Sequence, residues 1–308
     1  MKTIPRSVQS LLVSRFRPGS AIVLTGPKGV GKTQFLKQIK LQYGNTCLYL
    51  NAAHQAEKEK IQSVRIPEDM PSIAFYLIDE AHNLDNLQLN LQALREKLPH
   101  TRFLIALDGL GQDGNDQLSW QGTLYPLTEK EYHNFDSSRK TETFLAERLV
   151  FGNYPRLMHL KTRKDKRDYL EDLLLFYLGK IRLKTPKNGK DLQLLKMLSY
   201  LVGEEIFYRE MEHKVALTRV VINKLMQQFS DMNLIIQLKG FKRNLKKEVG
   251  KHTCVYFMDN GIRNAVINNF NPVRIRNDSA KLWKNYLISE RIKQQHYRDI
   301  ETNNYFWR

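Results

Sequence analysis

A chain of 308 residues, 42% hydrophobic and 26% charged, is long enough for more than one domain, since roughly 100–200 residues make one. Its 16 glycines and 10 prolines exclude collagen-like and low-complexity classes. The two cysteines, Cys47 and Cys254, lie far apart and supply neither a disulfide framework nor a zinc knuckle, so a reducing, cytoplasmic setting is expected. The formal charge of +17 is uneven: residues 1–150 carry 18 Lys+Arg against 16 Asp+Glu, and residues 151–308 carry 31 against 16. An excess of that size either coats solvated helices or marks a surface that meets a polyanion such as DNA.

The N-terminal segment has only three consecutive apolar residues, Leu11, Leu12 and Val13, far short of a signal-peptide core. Runs such as Leu173 to Leu178 are too short to cross a bilayer. A soluble protein without a membrane partner is expected. Ala21–Thr25 (AIVLT), Cys47–Leu50 (CLYL), Ala74–Ile78 (AFYLI) and Arg102–Leu107 (RFLIAL) are apolar runs separated by amphipathic segments. This alternation predicts an α/β fold, a parallel sheet with helices on its faces. Leu124–Leu127 is expected to add a fifth strand.

From Glu142 to Lys180 the pattern is helical, with Phe144, Leu145 and Leu149, then Leu170, Leu173, Leu174 and Tyr177, at spacings of three and four. Thr185–Asp191 (TPKNGKD) is a turn-rich basic connector. Three helical segments follow, Leu192–Val202, Tyr208–Lys214 and Thr218–Met232, and then two extended runs, Leu234–Leu238 and Thr253–Met258. Six of the fourteen residues from Lys239 to His252, between those runs, are Lys or Arg. Three helices and a basic hairpin describe a winged helix, with Thr218–Met232 as the recognition helix. Arg219 and Lys224 on that helix and Lys242, Arg243, Lys246 and Lys247 in the hairpin are the candidate nucleic-acid contacts. The bland alternative is a packing module with no nucleic-acid partner.

Gly26-Pro27-Lys28-Gly29-Val30-Gly31-Lys32-Thr33 is a complete G-x4-G-K-[ST] between the strand Ala21–Thr25 and a helical segment Gln34–Lys40, the context a P-loop requires. Glycines let successive amide groups point inward at phosphate oxygens, and the following helix adds the positive end of its dipole. Residues Gly26 to Gln34 are therefore expected to bind ATP, with Lys32 at the β- and γ-phosphates and the Thr33 hydroxyl on Mg2+. Ile73–Glu80 is an apolar strand ending in two acids, which reads as a Walker B motif downstream of an intact P-loop. Asp79 is expected to hold Mg2+ through water and Glu80 to act as general base. Hydrolysis also needs a polar group at the tip of the neighbouring strand and a cation on the γ-phosphate. That strand ends Ala106-Leu107-Asp108-Gly109, and no arginine lies between Arg102 and Arg139. Asp108 either positions water or is a surface turn residue; Arg139, Arg148, Arg156 or an arginine from a second subunit of a homo-oligomer would supply the cation.

The P-loop, the segment DEAHNL, Gly152-Asn153-Tyr154-Pro155, and the stretch from FKRNLKKE through VYFMDNGIRNAVINNFNP and LWKNYLISERIK to YFWR resemble the bacterial predicted ATPases that join an AAA-type P-loop domain to a winged helix and a C-terminal nuclease-like domain of unknown function. The resemblance covers nearly the whole chain. It implies an AAA-type P-loop αβα sandwich over 1–140, a helical lid over 141–188, a winged-helix domain over 189–258 and the start of a nuclease-like α/β segment over 259–308. There are departures. Asp108-Gly109 stands where the family has Gly-Ser, a Gly-Arg is absent before Tyr125-Pro126-Leu127, and Lys284 replaces the acid of Leu-Trp-Glu-Asn. The chain also stops at Arg308, before the family's acidic strand and Glu-x-Lys, as a truncated form would, so no nuclease activity is expected.

His54 with Glu57 and Glu210 with His213 have metal-compatible helical spacing but no further ligands, and read as surface pairs. Asp259 and Asn260 before Gly261 suit a turn and helix start, and Trp283 and Tyr286 are expected to fill a core. Taken together, these features predict an ATP-binding protein with weak ATPase activity that acts as a nucleotide-dependent switch on a winged-helix half. The alternative is a nucleic-acid-binding protein in which nucleotide is mainly a structural ligand.

Overall fold

The computed structural model describes residues 4–64, 72–109, 119–135, 142–184, 189–241 and 253–307. The chain divides into two compact units, Met1–Tyr125 and Pro126–Arg308.

The first unit runs α1 (Val8–Arg15), β1 (Ala21–Thr25), α2 (Lys32–Tyr43), β2 (Cys47–Asn51), α3 (Gln55–Gln62), β3 (Phe75–Asp79), α4 (Leu87–Lys97), β4 (Arg102–Ala106) and β5 (Trp120–Thr123). The strands form one sheet in the order β2-β3-β4-β1-β5, with every pairing parallel. β1 and β3 are buried along their whole length, which is why they read as unbroken apolar runs instead of alternating ones. α2 buries Phe35, Leu36 and Ile39, one stripe at helical spacing, and α4 packs Leu91 and Leu94 into a core with Val23, Ile78 and Ile105. Each such side chain contributes about 1.5–3 kcal/mol.

The fifth strand is not where apolar content places it. β5 is Trp120–Thr123, half-buried throughout, while Leu124 and Tyr125 are buried in the following non-strand segment. An edge strand is defined by its ladder to β1, here Ile22↔Trp120 to Thr25↔Thr123, and needs no run of hydrophobic residues.

The second unit contains α5 (Glu129–Phe135), α6 (Glu142–Phe151), α7 (Arg163–Lys184), α8 (Lys190–Tyr200), α9 (Tyr208–Val215), α10 (Arg219–Asp231), β6 (Ile235–Gly240), β7 (Thr253–Phe257), α11 (Asn260–Val266), α12 (Ser279–Tyr297) and β8 (Tyr305–Phe306). β6 and β7 pair antiparallel from Ile235↔Phe257 to Lys239↔Thr253. The free edge of β7 takes a short segment between α8 and α9, where the amides of Gly203 and Ile206 donate to the carbonyls of Val255 and Thr253 at 3.0 and 2.8 Å. α10 buries Ile222, Leu225, Met226 and Phe229, leaving Arg219, Val220, Asn223 and Lys224 on its exposed face.

α11 is short, polar and wholly buried, an arrangement stable only if each polar group finds a partner. Asp259 caps it by accepting from the amides of Gly261 and Ile262, and also accepts from Asn153 N at 2.7 Å. Asn264 donates to the carbonyls of Leu149 and Val150 and Arg263 to that of Ser199, so α11 satisfies carbonyls in the last turns of α6 and α8 that those helices cannot satisfy themselves. In residues 259–308, where the resemblance implied a nuclease-like segment, the chain forms α11, α12 and β8, and β8 adds parallel to β6. Lys284 donates to Gly203 O at 2.8 Å. Asn285 exchanges hydrogen bonds with the backbone of Phe257.

Tyr286 is buried but Trp283 is 40% exposed, against the expectation that both fill a core. The inward face of α12 carries Leu282, Asn285, Tyr286, Ser289, Glu290 and Lys293, a largely polar stripe whose side hydropathy does not reveal. No helix among the described residues is long and apolar enough to cross a membrane.

Candidate functional site

Parallel strands bring all their C-terminal ends to one edge, the place where open α/β sheets gather functional groups. At that edge β1 passes into Gly26, whose φ is +145° and where a Cβ would lie 2.2 Å from the Leu124 carbonyl oxygen. Gly31, at φ +97°, turns the chain into α2. Val30 is buried, Thr33 half-buried, and Lys28, Gly29 and Gln34 are exposed. Behind the loop, the buried Arg6 guanidinium donates to Val30 O and Tyr125 O, both at 2.6 Å.

Lys32, the first residue of α2, is only 6% exposed. Its Nζ donates to Gly26 O at 2.8 Å, Pro27 O at 3.1 Å and Asp108 Oδ1 at 2.7 Å. The strand order explains the last contact. β4 lies between β1 and β3, so Asp108, just past its end, falls between the glycine loop and the acids of β3. Gly26 and Gly109 exchange backbone hydrogen bonds at 3.3 Å, which fasten the Asp108 turn to the loop.

At the end of β3, Asp79 is fully buried. Its Oδ2 accepts from the Tyr49 hydroxyl at 2.8 Å and its Oδ1 from the Glu80 amide at 3.0 Å. Burial, and then the hydrogen bond to Asp79, push the Tyr49 phenol upward. Glu80 sits at φ +51°, a left-handed conformation costing a non-glycine residue about 1 kcal/mol or more. Asn83 stabilises that turn by donating to Glu80 O from its amide and its side chain. Burial first, and the Asp108 charge second, raise the Glu80 carboxyl above the ordinary carboxylate range. His82 Nε2 lies 3.6 Å from Glu80 Oε2, and ligand atoms of Glu80, His82 and Asp108 all lie within 4.8 Å of one another.

The structure thus brings Asp79 and Glu80 to the same sheet edge as Lys32 and its loop, Gly26–Gln34. Motif spacing marked all of these. Arg6, Tyr49 and His82 belong to no spacing rule and become visible only through their contacts, and Asp108, open between two roles on sequence alone, is the ion-pair partner of Lys32. The described contacts of the other candidates are as follows. His54 Nδ1 meets Glu57 Oε1 at 3.2 Å, and Glu57 also accepts from the Asn51 amide, a local turn. In the second unit Arg148 is buried against Glu129 at 2.7 Å and stacks on Tyr132, and Arg156 lies over Tyr169. Arg139 lies outside the described residues. On α10, the Arg219 guanidinium lies 4.5 Å from the centre of the Tyr208 ring and Lys224 is exposed. Lys242, Arg243, Lys246 and Lys247 lie outside the described residues.

Residues 18–107 match the family model of an AAA domain, and residues 142–273 match one described as a domain of unknown function, DUF8612. The N-terminal region therefore carries an AAA-type, ATPase-like domain. Among solved structures, the RuvB Holliday junction branch migration motor of Thermotoga maritima aligns over 70% of this chain and 81% of its own, at 15% identity and a TM-score of 0.35. A DNA polymerase III gamma subunit-related protein from Thermotoga maritima aligns over 92% and 99%, at 10% identity and a TM-score of 0.32. Drosophila ORC bound to AT-rich DNA and Cdc6 aligns over 81% and 86%, at 15% identity and a TM-score of 0.23.

Proposed function

We propose that the chain binds ATP with Mg2+, hydrolyses it slowly, and uses the bound nucleotide as a switch for a winged-helix C-terminal half. The observation that carries this is the meeting of Asp79 and Glu80, at the end of β3, with Lys32 of the glycine loop at the C-terminal edge of one parallel sheet. Gly26, Pro27, Lys28, Gly29, Val30, Gly31 and Gln34 would form the cradle, and Lys32 would serve the β- and γ-phosphates.

Mg2+ fits the donor set. Both Asp79 oxygens already accept one hydrogen bond each, which orients the carboxylate and leaves further lone pairs for a metal-bound water, and Thr33 supplies a hydroxyl in the first turn of α2. When bound, the ion would neutralise charge on the phosphates. Glu80 is the candidate base. Burial and the Asp108 charge raise its carboxyl, the direction that makes a carboxylate a stronger base.

Slow turnover follows from what surrounds the loop. Asp108, an anion, stands at the tip of β4, and the buried Arg6 is committed to two backbone carbonyls. A second reading, in which the protein binds nucleic acid and nucleotide only stabilises it, is favoured by the exposed Arg219 and Lys224 on α10 and by the basic second half. Calorimetry with Mg-ATP should give saturable heat that Lys32→Ala abolishes. Glu80→Gln should keep binding and lower turnover about 100-fold or more. Folded wild-type protein that binds neither adenosine nor guanosine triphosphate would overturn the proposal, while binding without turnover would leave only the second reading.

A further inference from the structure

The position facing the glycine loop from the end of the central strand, β4, carries a carboxylate, Asp108, paired with Lys32. Leu107 N donates to Leu24 O at 3.0 Å, and the reciprocal Gly26–Gly109 bonds close the turn on its other side. The backbone of Asp108 is thus bracketed between two contacts to β1 and its loop, which set the position from which its carboxylate meets Lys32. Its Oδ1 engages the Lys32 ammonium at 2.7 Å, with Lys32 6% and Asp108 21% exposed. Glu80 lies alongside, within 4.8 Å.

We propose that Asp108 is a specificity-determining residue that sets the loop to prefer a nucleoside diphosphate over the corresponding triphosphate. This rests on the nucleotide reading above and adds a selectivity to it. Two physical effects act in one direction. An ionised carboxylate only accepts hydrogen bonds, so Asp108 has no donor for a phosphoryl oxygen and meets an added phosphate with like charge, reinforced by Glu80. It also retains part of the charge of Lys32, which would serve the β- and γ-phosphates. Both penalties are larger when the third phosphate is present, since it adds negative charge beside Asp108 and a second phosphate drawing on Lys32, so the effect is on the ratio of affinities and not only on their size.

The test is calorimetric titration of Mg-ADP and Mg-ATP into wild-type protein, Asp108→Asn and Asp108→Ser, with thermal melting to confirm that each variant is folded. Wild type should bind ADP more tightly than ATP. Both variants should shift the ratio of dissociation constants towards ATP by about tenfold, equivalent to about 1.4 kcal/mol. A ratio within twofold of wild type in either folded variant overturns the proposal, as does a wild-type protein that prefers ATP, a measurement that needs no variant. If none of the three binds either nucleotide, the failure lies with the nucleotide reading itself.

Discussion

At Gly26 the backbone leaves a fully paired strand and must turn within one residue, with the Leu124 carbonyl 2.2 Å from where a side chain would begin. No other residue type fits both the φ of +145° and that approach. Gly26→Ala should therefore cost more than about 2 kcal/mol, read as a lowered midpoint in urea unfolding. Spacing alone identified Gly26 and Lys32, because a P-loop is a local device whose parts are neighbours in the chain. The same local logic could not find Arg6, which supports the loop from behind through the carbonyls of Val30 and Tyr125. Nor could it decide Asp108, whose role depends on β4 lying next to β1.

Among the elements, α11 shows how a polar sequence becomes an interior one. Burial alone would raise the Asp278 carboxyl, but hydrogen bonds from Arg276 and Arg263 outweigh it and hold that carboxyl well below the usual range. Arg263 is itself 1% exposed, so removing its partner would leave a buried cation, and Asp278→Asn should cost about 3 kcal/mol at pH 7. A depressed carboxylate pKa contributes stability above the unfolded value near 3.9 and loses it as pH falls towards the folded one. The stability gap between wild type and Asp278→Asn should thus be widest at neutral pH and shrink below about pH 4. An unfolding series that gave a constant gap would contradict this assignment. Turn chemistry marks Asp259 and Asn260 as a helix start but does not show what the helix is for. Its meaning lies in the carbonyls of Leu149, Val150 and Ser199, contributed by helices well before it in the chain.

For the whole molecule, the charge asymmetry makes the sharpest claim. With a net excess of 15 basic residues over residues 151–308, 31 against 16, and Arg219 and Lys224 exposed on α10, duplex DNA should bind the protein with an affinity that falls as salt rises from about 50 to 200 mM. Replacing Arg219 and Lys224 by Ala should weaken binding to all sequences alike and reduce the logarithmic salt slope by about one for each phosphate that the protein no longer neutralises. Unchanged binding in the double variant would remove α10 from the interface.

The amino-acid order by itself determined the strands β1 to β4, the glycine loop between β1 and α2, the acids at the end of β3, the helices α6 to α10 and the β6–β7 pair, but not α5, α12 or β8, and of α11 only the start. Each is written in neighbouring residues, through apolar runs, helical spacing and turn chemistry. Tertiary structure decided the rest. Hydrogen bonding to β1 chose Trp120–Thr123 over the more apolar Leu124–Leu127 as the edge strand. The inward face of α12 turned Trp283 partly to solvent. The order β2-β3-β4-β1-β5 set Asp108 against Lys32. Strand order and helix orientation are settled by contacts between residues far apart in sequence, and no local pattern encodes which distant partner a surface will meet.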